Sequence, residues 1–401
     1  MLLTCQAMRI GIVIFKDDPQ IGGGLTYVQE ILKGLNRQLS RTEHRFYLIG
    51  VEREKPGHLA HIDLPWLGSY QAEMLPRPPA SDFEYYPEVA KANLDLLCYL
   101  QPWMGQIRDI PYISTVWDLA HRVYPFFPEV SLYGEFGRRE DMFRRYLQRA
   151  AYIIAPNEAG KREIIAFYQV AEDRVRLIHH PTPTFALEGK SHPDPEDLLA
   201  RLGIDRDFLL YPAQLWPHKN HVLLLLMLDI LNKKHGENLQ LILTGSNRGN
   251  FPFLTHKIAQ LGLQKQVILA GFVSQPDLVA LYQKAVALVY PSFFGPENFP
   301  PMEAFALGCP VIAAQIPGAK EQMGDAAILL DTTDPELWSD AVIRLRQDVA
   351  LRQSLTSKGK KRAFSFTSDD CAREMLNLFD EFALYRRTWP SSEDGLEELT
   401  P

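Results

Sequence analysis

The residues best suited to chemistry lie between Pro291 and Glu303, in the segment Pro-Ser-Phe-Phe-Gly-Pro-Glu-Asn-Phe-Pro-Pro-Met-Glu. The apolar run Val286–Tyr290 before it predicts a buried strand, and the glycine and prolines that follow predict a loop and then a helix with prolines in its first turn. A helix N-terminus presents amides and a partial positive charge to an anion. Glu303, one turn inside, can accept hydrogen bonds from hydroxyl groups. Phosphate and hydroxyl recognition together indicate a nucleotide or nucleotide-sugar site.

This segment resembles the signature of the retaining, nucleotide-sugar-dependent glycosyltransferases called group 1, or family 4. Their usual form is P-S-x-x-E-G-F-G-L-P-x-x-E-A, and the Pro-Ser pair, Glu303 and Ala304 match it. The position of the first glutamate holds Gly295, and Glu297 lies two residues further on. Which group performs the first glutamate's role stays open. The alternative is a proline-capped helix with a solvated Glu303, but further segments agree with the family in the right order.

The resemblance also implies roles for individual residues of this segment. Glu303 is expected to bind ribose hydroxyls. Glu297, Asn298 and the amides of Asn298 and Phe299 are expected to line the sugar and phosphate side of the donor.

Lys219 follows a predicted strand in the segment Tyr-Pro-Ala-Gln-Leu-Trp-Pro-His-Lys-Asn-His. A lysine there can neutralise a leaving diphosphate as a point charge. The family usually has G-R-x-x-x-x-K-G or K-N, with both cations on the diphosphate. Lys219 matches the lysine, but Gln214 stands at the arginine, and Arg248 is a candidate for the missing cation. The alternative for Lys219 is a solvated lysine in a helix's first turn.

Three glycines, Gly22-Gly23-Gly24, separate the first predicted strand from the first predicted helix. Glycines let backbone amides approach a ligand closely. The spacing is not that of a dinucleotide fingerprint. Group 1 glycosyltransferases have a glycine-rich loop here that faces the donor phosphates and the acceptor, which makes Gly23 and Gly24 candidate site residues.

The segment Val-Trp-Asp-Leu-Ala-His that ends at His121 also follows a predicted strand. Group 1 enzymes often have His-Asp there, with the histidine near the reacting sugar. Trp117 stands at that histidine's position and precedes Asp118. His121 is therefore a candidate for sugar contact or proton handling, and Asp118 for orienting it, capping the turn or binding an acceptor hydroxyl. The alternative is a structural histidine.

Composition limits the partners of the chain. A net charge of −7 argues against nucleic acid, which requires a basic face. Four scattered cysteines fit reduced thiols in the cytoplasm. His218 and His221 lack acidic or cysteine partners at ligand spacing, so we expect no metal and no other cofactor.

No apolar run reaches the ~20 residues that span a bilayer. Peripheral contact with the inner face of the membrane stays open, because arginines and aromatic residues interleave in a helix predicted over 136–151. The alternative is an ordinary amphipathic helix whose arginines form a solvated face.

Strands and helices alternate on both sides of a proline-rich segment, which predicts an α/β protein with two domains. The expected architecture is two doubly wound, Rossmann-like domains facing a central cleft, the GT-B arrangement that the resemblance also implies. We place the N-terminal acceptor-side domain at 1–186, a hinge at 187–205, the C-terminal nucleotide-sugar-binding domain at 206–366, a C-terminal helix packing back toward the N-terminal domain at 367–388, and an acidic tail at 389–401.

The predicted function is retaining transfer of a sugar from a nucleoside diphosphate sugar to a hydroxyl of a saccharide or lipid-linked acceptor, in polysaccharide, glycolipid or glycoconjugate synthesis. The alternatives are a catalytically inactive sugar-nucleotide-binding protein and another enzyme of the same fold, such as a sugar-nucleotide epimerase. The base, the sugar and the acceptor stay open.

Overall fold

The computed structural model describes residues 7–16, 22–52, 73–74, 93–102 and 110–389. Most of the proline-rich stretch 56–87, Cys5 and the tail from 390 onward lie outside these ranges.

The N-terminal half contains a parallel sheet with seven described strands in the order β3-β2-β1-β4-β5-β6-β7. Alternate residues of the central strand β1 face opposite sides. Ile10 and Ile12 pack into one core and Val13 into the other, so both faces of the sheet are buried. The strands are β1 (Arg9–Lys16), β2 (Arg45–Glu52), β3 (Glu73–Met74), β4 (Leu96–Tyr99), β5 (Tyr112–Thr115), β6 (Tyr152–Ala155) and β7 (Val175–Leu177).

The C-terminal half repeats this topology with six described strands, again all parallel, in the order β10-β9-β8-β11-β12-β13. Both strand orders are those of a doubly wound fold, so the predicted fold class is confirmed. The strands are β8 (Phe208–Pro212), β9 (Gln240–Thr244), β10 (Val267–Gly271), β11 (Ala287–Tyr290), β12 (Val311–Ala314) and β13 (Ala327–Leu330).

Helices connect these strands and cover both sheets. In chain order the described α-helices are α1 (Gly23–Gln38), α2 (Ala120–Val123), α3 (Pro128–Ser131), α4 (Glu135–Tyr146), α5 (Glu158–Tyr168), α6 (Thr184–Glu188), α7 (Pro195–Leu202), α8 (His221–His235), α9 (Phe251–Gln260), α10 (Gln275–Lys284), α11 (Phe299–Leu307), α12 (Ala319–Met323), α13 (Pro335–Gln347), α14 (Val349–Ala363) and α15 (Ser368–Arg386).

Two predicted helices differ from the observed ones at their ends. The first begins at Gly23 rather than Leu25, because the chain turns already at Gly22, whose φ is +81°. Gly23 and Gly24 therefore form the first turn of α1 and not a loop. The helix expected over 136–151 ends at Tyr146 and continues only as a 3₁₀ turn, Leu147–Arg149.

Helix α15 packs on α1 in the N-terminal domain, although it follows the C-terminal domain in the chain. The two helices approach closely at Gly34, where a Cβ atom would lie 2.1 Å from the Ser368 carbonyl oxygen. The buried carboxylate of Glu30 accepts hydrogen bonds from the hydroxyls of Thr184 and Ser368, so it connects α1, α6 and α15.

Gly34→Ala should destabilise the protein by at least about 2 kcal/mol, because the added methyl group forces α1 and α15 apart. Thermal and urea unfolding measure the loss. Gly137→Ala, at an exposed position of helix α4 with nothing within 4 Å of its Cβ, is the matched control and should be neutral or slightly stabilising. Equal stabilities for the two variants would contradict this account of the helix contact.

Candidate functional site

A cavity of about 440 Å³ lies between the two domains, at the carboxyl ends of the strands. Four of the predicted site residues line it: Asp118, Lys219, Glu297 and Asn298. In the C-terminal domain they follow β8 and β11, the neighbouring strands at which the winding direction reverses. That reversal opens a crevice in doubly wound sheets, which is where such folds bind ligands.

Lys219 ends a short 3₁₀ turn, Pro217–Lys219, between β8 and α8. Its Nζ donates hydrogen bonds to the Tyr290 hydroxyl at 3.1 Å and to Ser292 Oγ at 3.4 Å. Burial lowers the pKa of Lys219 to about 8, although the charges of Asp118 and Glu129 act in the opposite direction. The ammonium therefore has neutral hydrogen-bond partners and is only partly compensated, which suits a site that receives an anion.

The loop before α11 explains why the first glutamate of the family signature has no direct counterpart here. Gly295 has a φ of +128°, and a Cβ there would lie 2.5 Å from Asn298 Oδ1. The Asn298 side chain fills this space, where it accepts a hydrogen bond from the Tyr290 hydroxyl and donates one to the Gly295 carbonyl, both at 2.8 Å. A glutamate at position 295 would require another loop conformation.

The N-terminus of α11 offers fewer amides than expected. The Asn298 N–H donates to Gln322 Oε1 at 3.1 Å. Pro300 and Pro301 follow Phe299 and carry no N–H. Phe299 itself reaches the N-terminal domain, where its ring stacks on His180 at 5.5 Å.

Glu297 joins the two domains. Its carboxylate accepts hydrogen bonds from the His179 ring and, at 2.6 Å, from the His180 amide. Burial raises the pKa of Glu297, and the His179 ring and His180 amide counteract that rise. Glu297 lines the cavity, but both carboxylate oxygens are turned to the N-terminal domain; its sugar contact stays a prediction.

Glu303 is buried beneath the start of α11 and is not among the residues that line the cavity. Its Oε2 accepts a hydrogen bond from the Tyr282 hydroxyl at 2.7 Å. Burial raises the pKa of Glu303 to about 7. The predicted ribose contact therefore requires a ligand that reaches behind the cavity.

The glycines at the start of α1 face this cavity's walls. A Cβ on Gly24 would lie 2.9 Å from the Trp117 ring, and one on Gly23 would lie 3.3 Å from the Phe299 ring. Trp117 lines the cavity and packs edge-on against Tyr27. Glycine thus permits close packing of α1 on the Trp117 and Phe299 rings, most tightly at Gly24, whether or not its amides meet a ligand.

Asp118 and His121 do not act together in this structure. Asp118 lines the cavity, accepts the Ala120 N–H at 3.0 Å, which caps the turn, and pairs with Arg139 at 3.3 Å. Burial would raise the pKa of Asp118, but Arg139 and the Ala120 amide hold it below its usual value. Its carboxylate is therefore ionised.

His121 is fully buried behind the cavity wall. Its Nε2 lies 3.1 Å from the Tyr168 hydroxyl, and its ring stacks on Phe143 at 5.6 Å. The turn that begins after Asp118 directs this ring into the N-terminal core, so the structure does not bring the predicted proton-handling histidine to the cavity.

Arg248 is separated from the cavity by an aromatic ring. Its guanidinium lies over the Trp216 indole at 5.9 Å, and Trp216 lines the cavity. The Trp216 Nε1–H donates to Gln214 Oε1 at 2.8 Å, so the residue at the family arginine's position supports this indole.

Several cavity residues were not predicted from the sequence as parts of the site. Among the charged and titratable ones are Glu129, Arg139, His180 and His218. Of these, His218 precedes Lys219 directly and was considered only as a metal ligand. Glu129, Arg139 and His180 come from the N-terminal domain, and no local spacing indicates that they meet the C-terminal loops.

Comparisons with known proteins agree with this geometry. The family described as Glycosyl transferases group 1 matches residues 196–362, and the family described as Glycosyltransferase Family 4 matches residues 21–184. O-antigen chain mannosyltransferase B of Escherichia coli is 25% identical over 245 residues, which cover 60% of this chain and 63% of that protein. The uncharacterized glycosyltransferase MJ1607 of Methanocaldococcus jannaschii is 24% identical over 405 residues, 93% of this chain and 98% of that protein.

Among solved structures, Anabaena Alr3699/HepE in complex with UDP-glucose is similar with a TM-score of 0.70 at 17% identity. The match covers 93% of this chain and 100% of that chain. At this identity the likeness shows the fold.

Nucleoside diphosphate binding should weaken as the pH rises above about 8. Lys219 is charged below its pKa and neutral above it. Its attraction for a diphosphate is therefore present at pH 7 and is lost as the pH rises through the pKa. The bound anion favours the charged form and so moves this pKa upward. Calorimetric titration with UDP, GDP and ADP at several pH values should show a roughly tenfold loss of affinity, equivalent to about 1.4 kcal/mol.

Lys219→Arg is the control, because a guanidinium stays charged throughout this range. Its affinity should change little with pH, and any change would report titration of the nucleotide itself. If the nucleotide affinity of the wild type varied with pH no more than that of Lys219→Arg, the role of Lys219 in binding the diphosphate would be contradicted.

Proposed function

This chain belongs to the group 1 glycosyltransferases, and we propose that it transfers a sugar from a nucleoside diphosphate sugar to a hydroxyl acceptor with retention of anomeric configuration. The observation that carries the proposal is the partly compensated ammonium of Lys219 in the interdomain cavity, beside the start of α11. The bound UDP-glucose of the similar Anabaena protein supports a donor of this class.

The leaving diphosphate is the group that the site has to stabilise. Negative charge builds on it as the glycosidic bond breaks, and preorganised positive groups lower the energy of that state. Lys219 supplies a charge, and the dipole of α11 adds a partial one. Arg248 is the proposed second cation, which would reach the diphosphate if the Trp216 ring moves.

The remaining donor contacts follow from the placement of the predicted residues. Asn298 and Phe299 would border the phosphates, Glu297 the sugar, and Gly23 and Gly24 would let the donor approach α1. Glu303 would bind the ribose hydroxyls. Its raised pKa favours a hydrogen-bonding role over a permanent charge.

Retention follows, in this proposal, from displacement on one face of the sugar with the leaving phosphate assisting the acceptor hydroxyl. The carboxylates of Asp118 and Glu297 are engaged by Arg139 and by His179, which makes each a poor covalent nucleophile. His121 lies behind the wall and Asp118 at the surface of the cavity, so of the two Asp118 is the better candidate for an acceptor contact.

We propose that no metal or other cofactor takes part. Within the described part of the chain, no group of three or more histidine, cysteine or acidic side chains is placed to hold a metal ion. Lys219 and the helix dipole would supply the charge that a divalent cation supplies elsewhere.

Incubation with a panel of nucleoside diphosphate sugars and glycoside acceptors should give a transferred product with the anomeric configuration of the donor. NMR of the product reads the configuration, and activity should survive EDTA. Lys219→Ala should lower kcat/KM by about 10²–10³, as expected for loss of one preorganised electrostatic contact.

The alternative functions give other results in the same assay. Donor binding without hydrolysis or transfer would indicate an inactive sugar-nucleotide-binding protein, and an isomerised donor would indicate an epimerase. An inverted product would contradict the mechanism, and inactivation by EDTA that magnesium or manganese reverses would contradict the assignment of charge to Lys219.

We also propose a cytoplasmic location with peripheral membrane contact, which would give access to a lipid-linked as well as to a saccharide acceptor. None of the described helices is long and apolar enough to cross a membrane. Exposed apolar side chains cluster before and after α3, close to the cavity: Phe126 is 70% exposed, Leu132 51%, and Tyr133 fully. The neighbouring Arg138 is largely exposed and would suit anionic headgroups.

The double substitution Phe126→Ser with Tyr133→Ser should weaken binding to phosphatidylglycerol vesicles roughly threefold or more, because it removes apolar area that would enter the interface. Vesicle flotation measures it. Phe251→Ser with Phe253→Ser removes two rings of α9 that are less exposed, 40% and 54%, and lie outside this cluster, and it should leave flotation unchanged. Equal effects of both pairs, or no flotation of the wild type, would contradict the proposal.

A further inference from the structure

Glu129 and His218 form a buried pair across the two domains. Glu129 lies in the first turn of α3, and His218 in the 3₁₀ turn that ends at Lys219. The His218 amide donates to Glu129 Oε1 at 3.0 Å, and the ring Nδ1–H donates to the same oxygen. One oxygen of the carboxylate thus receives both donors.

The pair is an ionised carboxylate with a neutral imidazole. Burial and the charge of Lys219 lower the pKa of His218 to about 4, so the ring is uncharged at neutral pH. Burial would raise the pKa of Glu129, but the bonds from His218 and the Glu129 amide lower it. An ionised carboxylate is an acceptor only.

The second oxygen, Glu129 Oε2, is buried and has no hydrogen-bond partner among the described residues. The Glu129 side chain is only 6% exposed and lines the cavity. A buried, charged acceptor without a donor is costly, and a ligand hydroxyl would satisfy it.

Aromatic rings flank this pair. The Phe294 ring stacks on His218 with centroids 4.2 Å apart and an angle of 18°, and Tyr124 also stacks on Phe294, with centroids 5.8 Å apart. Phe294 also lines the cavity. A carboxylate beside aromatic surface suits a ligand with hydroxyls and apolar C–H faces, which is a sugar ring.

We infer that Glu129 is a binding residue for the acceptor, which accepts a hydrogen bond from a hydroxyl of a neutral sugar, and that His218 is the positioning residue that holds it. The inference rests on the proposed function and adds the acceptor class: a saccharide hydroxyl bound by a carboxylate, not a phosphorylated group, which the charge of Glu129 would repel.

The position of the pair connects acceptor binding to the donor side. Glu129 belongs to the N-terminal domain, whereas His218 and Lys219 are consecutive residues of one turn in the C-terminal domain. The acceptor site is therefore complete only when the domains are as close as they are here, and the same contact places Lys219.

The test uses the full chain, saturated with the tightest of UDP, GDP and ADP, and the methyl α- and β-D-glycosides of mannose, glucose and galactose as probes. Saturation-transfer NMR should detect at least one glycoside on the wild type. Glu129→Gln should weaken its binding tenfold or more, as for a lost hydrogen bond to a charged group. Nucleotide affinity should change less than glycoside affinity, because Lys219, the cation proposed to meet the diphosphate, is retained.

Matched variants separate binding from simple disruption. Glu135→Gln alters another cavity glutamate, one whose carboxylate is paired with Arg138 and Arg139, and should retain glycoside binding. His218→Asn keeps a side-chain N–H donor and should retain more glycoside binding than His218→Phe, which keeps only the stacking ring. Thermal melting checks that each variant is folded.

Nucleotide binding without any glycoside signal on the wild type would overturn the inference, as would equal glycoside binding by Glu129→Gln and the wild type. A Glu129→Gln variant with normal glycoside affinity but lost turnover would assign Glu129 to the chemical step instead. Absence of nucleotide binding would count against the proposed function, while the glycoside signal would still report on Glu129.

Discussion

The candidate site depends on one desolvated cation, the ammonium of Lys219, which must stay charged in the cavity between the domains. Desolvation disfavours the Lys219 ammonium, and its direct partners, the hydroxyls of Tyr290 and Ser292, are neutral. Asp118 and Glu129 lie near enough to favour the charge, but one oxygen of each is already engaged, Asp118 Oδ1 by Arg139 and Glu129 Oε1 by His218. The protein thus neutralises the positive charge of Lys219 only in part, and a bound anion would neutralise the rest.

The surroundings of that lysine are held from both domains. The Pro296 carbonyl accepts a hydrogen bond from Asn157 Nδ2 at 2.6 Å, Glu297 is bound by His179 and the His180 amide, and His218 by Glu129. Each contact joins a site loop of the C-terminal domain to the N-terminal domain. Several of these contacts involve buried or charged groups. Opening the cleft would expose those groups to water, and closing it would have to form the same pairs again. Domain closure and site geometry therefore belong to one conformational equilibrium.

The sequence was sufficient for features that depend on local pattern. The apolar run Val286–Tyr290 predicted β11 to within a residue, and Lys219, predicted to follow a strand, lines the cavity. It was insufficient where a side chain's direction depends on a turn. His121 points into the core because a short helix starts after Asp118, a difference that three residues of spacing do not reveal.

Pairings between distant residues were also beyond the sequence. Glu129 and His218 are 89 positions apart and belong to different domains, so no periodicity relates them. Glu303 shows the same limit: its match to the family signature predicted a hydroxyl contact, whereas its observed partner is the Tyr282 hydroxyl, which lies 21 positions away in α10.

The two departures from the family signature have a common physical result. At position 295 a glycine leaves room that the Asn298 amide fills, and at position 214 a glutamine supports the Trp216 indole. In both places a neutral amide that bonds within the protein, of Asn298 or of Gln214, lies where the family has a charged group. With the glutamate's negative charge and the arginine's positive charge both absent, the local charge balance is preserved while the number of charges falls. Stabilisation of an anion at this point of the cleft then depends on Lys219, whose pKa is lowered by burial and only partly restored by the charges of Asp118 and Glu129.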